Sequence, residues 1–366
     1  MSAEHTEPLR VGVIGCGWVS DVCHLPALRD ISEATVVAMA DVDRQRADQL
    51  ATRFHVQQAY TDYRALLDDR RVEAIAVCVP SSSHLEVTLA ALDAGKHVLL
   101  EKPLTANLDQ CDRLIARAAQ CAKKVLVGFN MRYHGLVRRA REIIARGTLD
   151  PIQSMWTVFT SDTVHKPNVP EWRKRRRLGG GALIEQAIHH FDLWRFLLQT
   201  EVVQVFATSA SRQWEDETAA VTARLANGVV AASMFSEASS NNNELEVCGR
   251  NGRLHLTAYC FDGLELYSVA DSPGALRTRL QKIGQTLSEL PRGIIKMRQG
   301  GEFMSSYRDQ WRHFADCIRN DTALACPLED GRRTLQVLLA IVQSTSSGQP
   351  VTVADASPAI TDIAAP

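Results

Sequence analysis

The sequence lacks several features that mark special classes of protein. No apolar run reaches the length of a membrane span, and the polar, acidic start MSAEHTEPLR is unlike a secretory signal, so we expect a cytoplasmic protein. Neither charge is in excess: 41 basic residues face 42 acidic ones, which argues against nucleic acid or an anionic membrane as the main partner. The nine cysteines are odd in number and lack CxxC spacing, so they predict buried free thiols rather than a disulfide framework.

What is present suffices for two domains of ordinary size, since the 366 residues are 45% hydrophobic. Residues 1–128 alternate strand and helix patterns, for example VEAIAVCVP, HLEVTLAALDAG and KHVLLEKP. Helix caps are expected at Asp43 and at Asn107 with Gln110. This pattern predicts an α/β Rossmann domain, a doubly wound parallel sheet whose ligand lies at the carboxyl ends of the strands.

The stretch LRVGVIGCGWVSDV predicts a buried strand, a glycine turn and a helix. Gly15 permits the tight turn, and Gly17 lets the backbone approach a pyrophosphate at the helix N-terminus. Asp41 ends the apolar run ATVVAMA, where an acid can hydrogen-bond the ribose hydroxyls of NAD. The acid at Asp41 makes NAD the favoured cofactor. Arg44 could instead bind the 2′-phosphate of NADP, so NADP is the alternative.

Four segments in this order resemble one family: GCGWVS, VPSSSHLEVTLAALDAGKHVLLEKP, VGFNMRY and GGGALIEQAIHHFD. Together they are similar to the glucose–fructose oxidoreductase / inositol dehydrogenase (Gfo/Idh/MocA) family, over nearly the whole chain. The resemblance implies that Lys102 of EKP is the catalytic lysine, with Glu101 and Pro103 shaping its turn. It further implies a set of cofactor-binding residues: Gly15, Gly17, Trp18, Val19, Asp41, Val79, Pro80, Ser81, His84, Glu101, Lys102 and Asn130.

The family's substrate residues are implied in the same way. They correspond here to Arg132, Trp172, Arg173, Glu185 and His189. The closing motif departs from the family's usual pattern at two positions, with Glu185 in place of Asp and Ala187 in place of Gly. Ser81 likewise replaces an Asn. These departures argue against taking the substrate directly from inositol dehydrogenase.

Residues 182–198 are expected to form a helix that presents a polar face. With Glu185 at zero, His189 lies about 40° around the helix and Asp192 about 20° the other way. His190 falls about 140° away and is expected to pack in the core. The shared face allows a metal site, a structural hydrogen-bond network or an acid/base site. Partner ligands for a metal are missing from the pattern, so acid/base chemistry is the favoured interpretation and no metal is predicted.

Oxidation of a secondary alcohol by NAD removes a hydride from carbon and a proton from oxygen. We expect His189 and Lys102 to contact the reacting hydroxyl, one taking the proton while the other stabilises the developing oxyanion. Glu185 would orient the imidazole or bind a neighbouring hydroxyl, and Asp192 would anchor the helix to the sheet. In the basic run 173–177, Arg173 could join Arg132 in binding an anionic substrate group, whereas Arg175, Arg176 and Arg177 are expected to face water.

After residue 128 the pattern changes to strands such as IQSMWTVFT, TAAVTARL and ELEVCG. They predict an α+β domain over 129–350 with an open, mostly antiparallel sheet, through which the chain would form a homodimer or homotetramer. Helices from about residue 303 would return to the Rossmann domain, 271–301 would form a helical lid or subunit contact, and 351–366 would be a tail.

These expectations favour an NAD(P)-dependent dehydrogenase or reductase acting on a sugar, cyclitol or related polyol. An NAD-dependent glycoside hydrolase or lyase that oxidises its substrate transiently is the alternative. A non-catalytic NAD-binding regulator fits less well, because a binder needs neither Lys102 nor His189.

Overall fold

The chain folds as two compact units in a computed structural model that describes residues 7–271 and 275–355. Unit 1 contains the described residues up to Asn130 and Tyr307–Arg332, and unit 2 contains the rest. The side chains of Gln281 and Arg292 are not described. Part of the expected lid or contact segment, 272–274, and the expected tail from 356 onward lie outside the described residues. The domain limits inferred from the sequence stay a prediction.

Unit 1 contains a six-stranded parallel sheet in the order β3-β2-β1-β4-β5-β6, which confirms the doubly wound α/β fold. The strands are Leu9–Ile14 (β1), Ala34–Ala40 (β2), Gln58–Tyr60 (β3), Ala74–Val77 (β4), His97–Leu100 (β5) and Val125–Val127 (β6). The helices are Leu25–Arg29 (α1), Arg44–Arg53 (α2), Tyr63–Leu67 (α3), His84–Asp93 (α4) and Leu108–Ala118 (α5). All four residues of β4 are buried, as expected for a strand covered by helices on both faces.

Two predicted helix caps are present. The Asp43 carboxylate accepts a hydrogen bond from the Arg46 N–H at the start of α2. The Asn107 side chain accepts from the Gln110 N–H at the start of α5. Each cap satisfies a backbone donor that has no partner inside its helix, so the sequence predicted these starts correctly.

Unit 2 contains a mixed, mostly antiparallel sheet in the order β13-β12-β11-β7-β10-β9-β8-β14, as predicted. Its strands are Ile152–Thr160 (β7), Val202–Ala210 (β8), Thr218–Leu225 (β9), Val230–Ser236 (β10), Asn242–Gly249 (β11), Gly252–Thr257 (β12), Leu264–Ser268 (β13) and Val351–Thr352 (β14). The remaining α-helices are Gly135–Ala145 (α6), Ile188–Leu198 (α7), Leu276–Arg298 (α8), Gly301–Asn320 (α9) and Leu328–Ser347 (α10); α9 from Tyr307 onward and α10 up to Arg332 belong to unit 1. Among the described strands of this second sheet, β7 and β10 are the pair that runs parallel. Strand patterns in the sequence do not predict this detail.

Buried and exposed residues alternate along the strands of this sheet. In β9, Ala219, Val221, Ala223 and Leu225 are buried, and the residues between them are half-buried or exposed. This period of two gives the sheet one face in the core and one face outside it. Among the described residues, no helix is both long and apolar enough to cross a membrane.

The helix predicted over 182–198 is present, but its first part is not an α-helix. Leu183–Ala187 form a π-helical turn, and α7 continues from Ile188 to Leu198. A π turn holds more residues than an α turn, so a projection at about 100° per residue fails before Ile188. The predicted angle between Glu185 and His189 therefore does not apply, and their exposure has to be taken from the structure.

Candidate functional site

The predicted cofactor residues of unit 1 follow the carboxyl ends of five parallel strands. Gly15 comes after β1, Asp41 after β2, Val79 after β4, Lys102 after β5 and Asn130 after β6. Because parallel strands end at the same edge of a sheet, these segments meet at one edge. The structure thus gathers residues that are spread over more than a hundred positions of sequence.

The glycine turn after β1 has the geometry that a pyrophosphate requires. Gly15 has φ of +93°, and a Cβ there would lie 2.4 Å from the Cys78 carbonyl oxygen. At Gly17, by contrast, a Cβ would meet nothing within 4 Å, so the backbone is open on that side. Ser20 donates a hydrogen bond to the Gly15 carbonyl and closes the turn. Trp18 is 65% exposed beside it. The turn therefore fits a phosphate group at the start of the following helix.

The carboxylate of Asp41 is held by backbone donors. Its Oδ2 accepts from the Cys16 N–H at 2.7 Å, and its Oδ1 accepts from the Asp43 N–H at 2.9 Å. The guanidinium of Arg46, not that of Arg44, lies beside it, 3.5 Å from Oδ2. Arg44 instead pairs with Asp48 on the surface of α2. Arg46 is thus a second basic residue near the predicted ribose site, and the role of Arg44 towards a 2′-phosphate stays a prediction.

His84 connects the two loops that carry the predicted nicotinamide contacts. Its Nδ1 lies 2.8 Å from the Pro103 carbonyl oxygen, and its Nε2 lies 3.0 Å from the Val79 carbonyl oxygen. Burial lowers the pKa of His84 and outweighs the two carbonyl oxygens, which raise it. Pro80 is exposed and Ser81 half-buried, so these residues are more accessible than His84.

Behind the EKP turn, Glu101 belongs to a buried network that the sequence analysis missed. The indole N–H of Trp311 donates to His24 Nδ1 at 3.1 Å, so the ring proton of His24 is on Nε2, which donates to Glu101 Oε1 at 2.9 Å. The other carboxylate oxygen accepts from the Lys102 N–H at 3.1 Å. Burial would raise the pKa of Glu101, but the hydrogen bond from His24 and the charge of Lys102 lower it. The network fixes the backbone at Lys102, whose side chain is half-buried.

In unit 2, Glu185 and His189 are the partly exposed side chains of the helical segment that carries them. Every residue from Gly181 to Leu198 is buried except Glu185 and His189, which are half-buried. The structure thus leaves these two side chains partly open although the projection that first paired them does not hold.

Arg173 lies between two carboxylates rather than alone. Its Nη2 is 2.9 Å from Glu237 Oε1 and 4.0 Å from Glu185 Oε2. Burial would lower the pKa of Arg173, but Glu185 and Glu237 raise it, so the guanidinium is charged. Glu237 is fully buried and was not singled out in the sequence. Trp172 is 40% exposed next to this group.

Arg132 and Asp192 form a buried bidentate ion pair. Arg132 Nε donates to Oδ2 at 2.7 Å and Nη2 donates to Oδ1 at 2.6 Å. Thr334 also donates to Oδ1 at 3.3 Å. Asp192 therefore anchors α7 to the turn at Arg132 and to α10, not to the sheet as expected. Arg132 is 4% exposed, and a role in binding substrate stays a prediction.

The basic run 173–177 does not face water throughout. Arg175 and Arg177 are exposed, but Arg176 is buried and donates twice to Asp216, at 2.6 and 2.8 Å. The expectation for Arg176 was wrong, because Asp216, forty residues away, supplies a buried partner. The glycines that follow pack against the same loop: a Cβ at Gly180 would lie 2.1 Å from the Arg173 carbonyl oxygen.

His190 lies in the core. It is fully buried, its Nε2 is 3.1 Å from Asn243 Oδ1, and its ring stacks on Phe159 with centroids 5.4 Å apart. Burial lowers its pKa to about 4. The doubled histidine therefore contains one packing residue and one accessible residue. Within the described ranges, no cluster of three or more His, Cys, Asp or Glu residues is arranged to hold a metal.

Comparisons with known proteins cover both units. The sequence model of the Gfo/Idh/MocA oxidoreductase family with an NAD-binding Rossmann fold matches residues 9–129, and the model of the family's C-terminal alpha/beta domain matches 141–353. A dTDP-3,4-didehydro-2,6-dideoxy-alpha-D-glucose 3-reductase from Actinomadura kijaniata is 31% identical over 68% of this chain and 75% of its own length. A myo-inositol 2-dehydrogenase from Thermotoga maritima is 29% identical over 67% of this chain and 74% of its own.

A solved structure has the same fold. The scyllo-inositol dehydrogenase from Lactobacillus casei, determined with NAD(H) and scyllo-inositol, superposes with a TM-score of 0.78 at 20% identity. The match covers 95% of this chain and all of the other.

Proposed function

Because this chain belongs to the Gfo/Idh/MocA family of oxidoreductases, whose first domain is an NAD-binding Rossmann fold, we propose that it transfers hydride between NAD and a secondary alcohol or ketone of a sugar, cyclitol or related polyol. The observation that carries the proposal is the single sheet edge in unit 1 where the glycine turn, Asp41 and Lys102 meet. The names of the relatives, an inositol dehydrogenase and a ketosugar reductase, support the substrate class.

The residues at this edge fit NAD. The open side of Gly17 would admit the pyrophosphate, and the Asp41 carboxylate would accept hydrogen bonds from ribose hydroxyls. Asp41 would repel a 2′-phosphate, which favours NAD, although Arg46 beside it keeps NADP as the alternative. His84 would act by holding the Val79 and Pro103 loops together, and Asn130 would contact the cofactor from the loop after β6.

When bound, the nicotinamide accepts the hydride from the substrate carbon in oxidation and returns it in reduction. We assign the accompanying proton to Lys102 and His189: one removes it from the hydroxyl and the other stabilises the charge on oxygen. The half-buried state of His189 in unit 2 and of Lys102 in unit 1 supports this assignment. Glu185 would accept a hydrogen bond from the imidazole or from a neighbouring hydroxyl, and Trp172 would contact the substrate ring.

Arg132 and Arg173 were expected to bind an anionic group on the substrate. Both guanidinium groups face buried carboxylates, so their positive charge is already balanced within unit 2. The balanced charge favours substrates that are recognised through hydroxyl groups. The two arginines would then hold the carboxylates with which they pair in position. Assembly into a homodimer or homotetramer through the C-terminal sheet, and a cytoplasmic location, remain part of the proposal.

The proposal is tested by incubating the purified protein with a panel of polyols and keto-sugars, each with NAD(H) and NADP(H). We expect net formation or loss of reduced nicotinamide with at least one substrate, followed by its absorbance. A glycoside hydrolase or lyase that uses NAD transiently would release product without a net change, and a regulator would do neither. Lys102→Ala is the matched control, since it should bind cofactor and lack turnover.

A further inference from the structure

Helix α8 packs on the protein through its polar side, whereas an ordinary surface helix packs through its apolar side. Gln285 donates to the Leu264 carbonyl oxygen at 2.8 Å, and Thr286 donates to Asp262 at 2.6 Å. Glu289 pairs with Arg139 at 3.2 Å. Gly293 lies directly against the ring of Phe261. These contacts hold the helix to unit 2 through hydrogen bonds, an ion pair and one close approach.

The apolar side of α8 faces solvent. Large apolar residues recur at spacings of three, four or seven positions along the helix, and most are more than half exposed: Leu276, Leu280, Ile283, Leu287, Ile294 and Met297. Leu276 is 73% exposed and Leu287 is 64% exposed. At about 100° per residue, the four that precede Pro291 lie within about 40° of Leu276, so they form one continuous stripe, and Ile294 and Met297 follow beyond the proline. A stripe of this length on the outside of a protein marks a docking surface.

The charges around the stripe are of one sign. The α8 sequence carries six basic residues and one acidic residue, a net charge of +5 (6 − 1), which the near-neutral total of the chain conceals. Arg277, Arg279 and Arg298 are exposed. On the helical projection, Arg279 lies about 60° to one side of Leu276. Arg298 lies in the last turn of the helix, beyond Pro291.

The acidic residues next to α8 are engaged on its protein side. Glu289 pairs with Arg139, Glu265 with Lys282, and Glu302 with Lys296. The outer side thus combines an aliphatic stripe with arginines, a combination complementary to an apolar surface that carries negative charge.

We propose that α8 docks the protein on an anionic phospholipid membrane. The aliphatic stripe enters the boundary between headgroups and acyl chains, while the exposed Arg279 and Arg298 reach the phosphates. A second copy of the chain is the less complementary occupant. Two α8 helices packed antiparallel would bring Arg277 of one against Arg298 of the other, and a parallel pair would bring equivalent arginines together. This proposal is independent of the proposed function, since it uses no residue of the candidate site.

The test is sedimentation of the full-length protein with vesicles, either of phosphatidylcholine alone or of equal parts phosphatidylcholine and phosphatidylglycerol. We expect binding to the anionic vesicles and little to the neutral ones. Replacing Arg279 and Arg298 with Gln should lower the partition coefficient roughly thirtyfold, about 2 kcal/mol at about 1 kcal/mol for each arginine near the surface. The triple change Leu280→Gln, Leu287→Gln and Ile294→Gln should lower it at least about a hundredfold.

The matched control for the arginine variant is Arg29→Gln with Arg64→Gln, which removes two exposed arginines from helices of unit 1, outside α8 and the C-terminal sheet, and should leave vesicle binding unchanged. Circular dichroism and dehydrogenase activity of each variant report whether it is folded. Equal binding to neutral and anionic vesicles, no binding to either, or full binding by the arginine variant would each overturn the proposal. A chain that ignores vesicles but doubles its molar mass in light scattering, and becomes monomeric with the triple change, would assign the stripe to a second copy.

Discussion

Replacing Asp192 by asparagine is expected to lower the free energy of unfolding by about 3 to 5 kcal/mol, because it removes the carboxylate charge that faces the buried Arg132 guanidinium. The side chains of Arg132 and Asp192 are only 4% and 1% exposed, so water cannot take the place of the lost carboxylate charge. The two hydrogen bonds are short, and Thr334 adds a third to the same carboxylate.

A matched surface pair sets the scale for this effect. Arg44 and Asp48 are also 2.7 Å apart, but their side chains are 66% and 48% exposed. Asp48→Asn should therefore cost less than about 1 kcal/mol, since solvent already screens the pair. Both pairs join an arginine to an aspartate at a similar distance, and they differ in burial and in the number of hydrogen bonds to the carboxylate.

The assay is urea denaturation followed by tryptophan fluorescence, with the slope of the transition compared between variants. Trp194 is fully buried two residues from Asp192 and reports on α7 directly. The double change Arg132→Met with Asp192→Leu should recover most of the loss, because it removes both charges together. Equal effects of Asp192→Asn and Asp48→Asn would refute the argument that burial controls the strength of the pair.

Three further outcomes are expected. Lys102→Ala should abolish turnover while NAD affinity, measured by fluorescence titration, stays within a few-fold, and retained turnover would remove Lys102 from the proposed chemistry. Asp41→Ala should weaken NAD binding more than NADP binding in calorimetry; if the unaltered protein binds NADP more tightly, the cofactor assignment is wrong. Burial lowers the pKa of His190 from 6.5 to about 4, so between these pH values the unfolded chain takes up a proton that the folded chain does not. Stability should therefore be full above pH 6.5 and decline as the pH falls towards 4, by up to about 3 kcal/mol, and a pH series of urea midpoints that His190→Phe does not flatten would contradict this.

Features set within a few residues of chain were predictable. The caps at Asp43 and Asn107, the tight turn at Gly15 and the strand periods of both sheets depend on local backbone geometry and on the alternation of side chains. The segment around EKP and the GGG helix were recognisable for the same reason, since their residues are contiguous in sequence.

The regular helical projection failed where the local rule had an exception. The π turn at Leu183–Ala187 changes the angular spacing, and no residue type in the sequence announces it. Glu185 and His189 are nevertheless the two partly open side chains between Gly181 and Leu198, and their role in the chemistry stays a prediction. In α8 the amphipathic pattern is visible in the sequence, but the sequence does not show that the apolar side faces solvent.

The sequence by itself determined the family, the two sheets, and the order in which glycine turn, acid, lysine and histidine follow one another. Tertiary structure alone decided which charges are balanced and which side chains stay accessible. Asp216 buries Arg176 from forty positions away, and Trp311 reaches His24 across 287 positions. Such pairings depend on how distant segments pack, because burial and hydrogen bonding are properties of the assembled core, and no local pattern of residues encodes them.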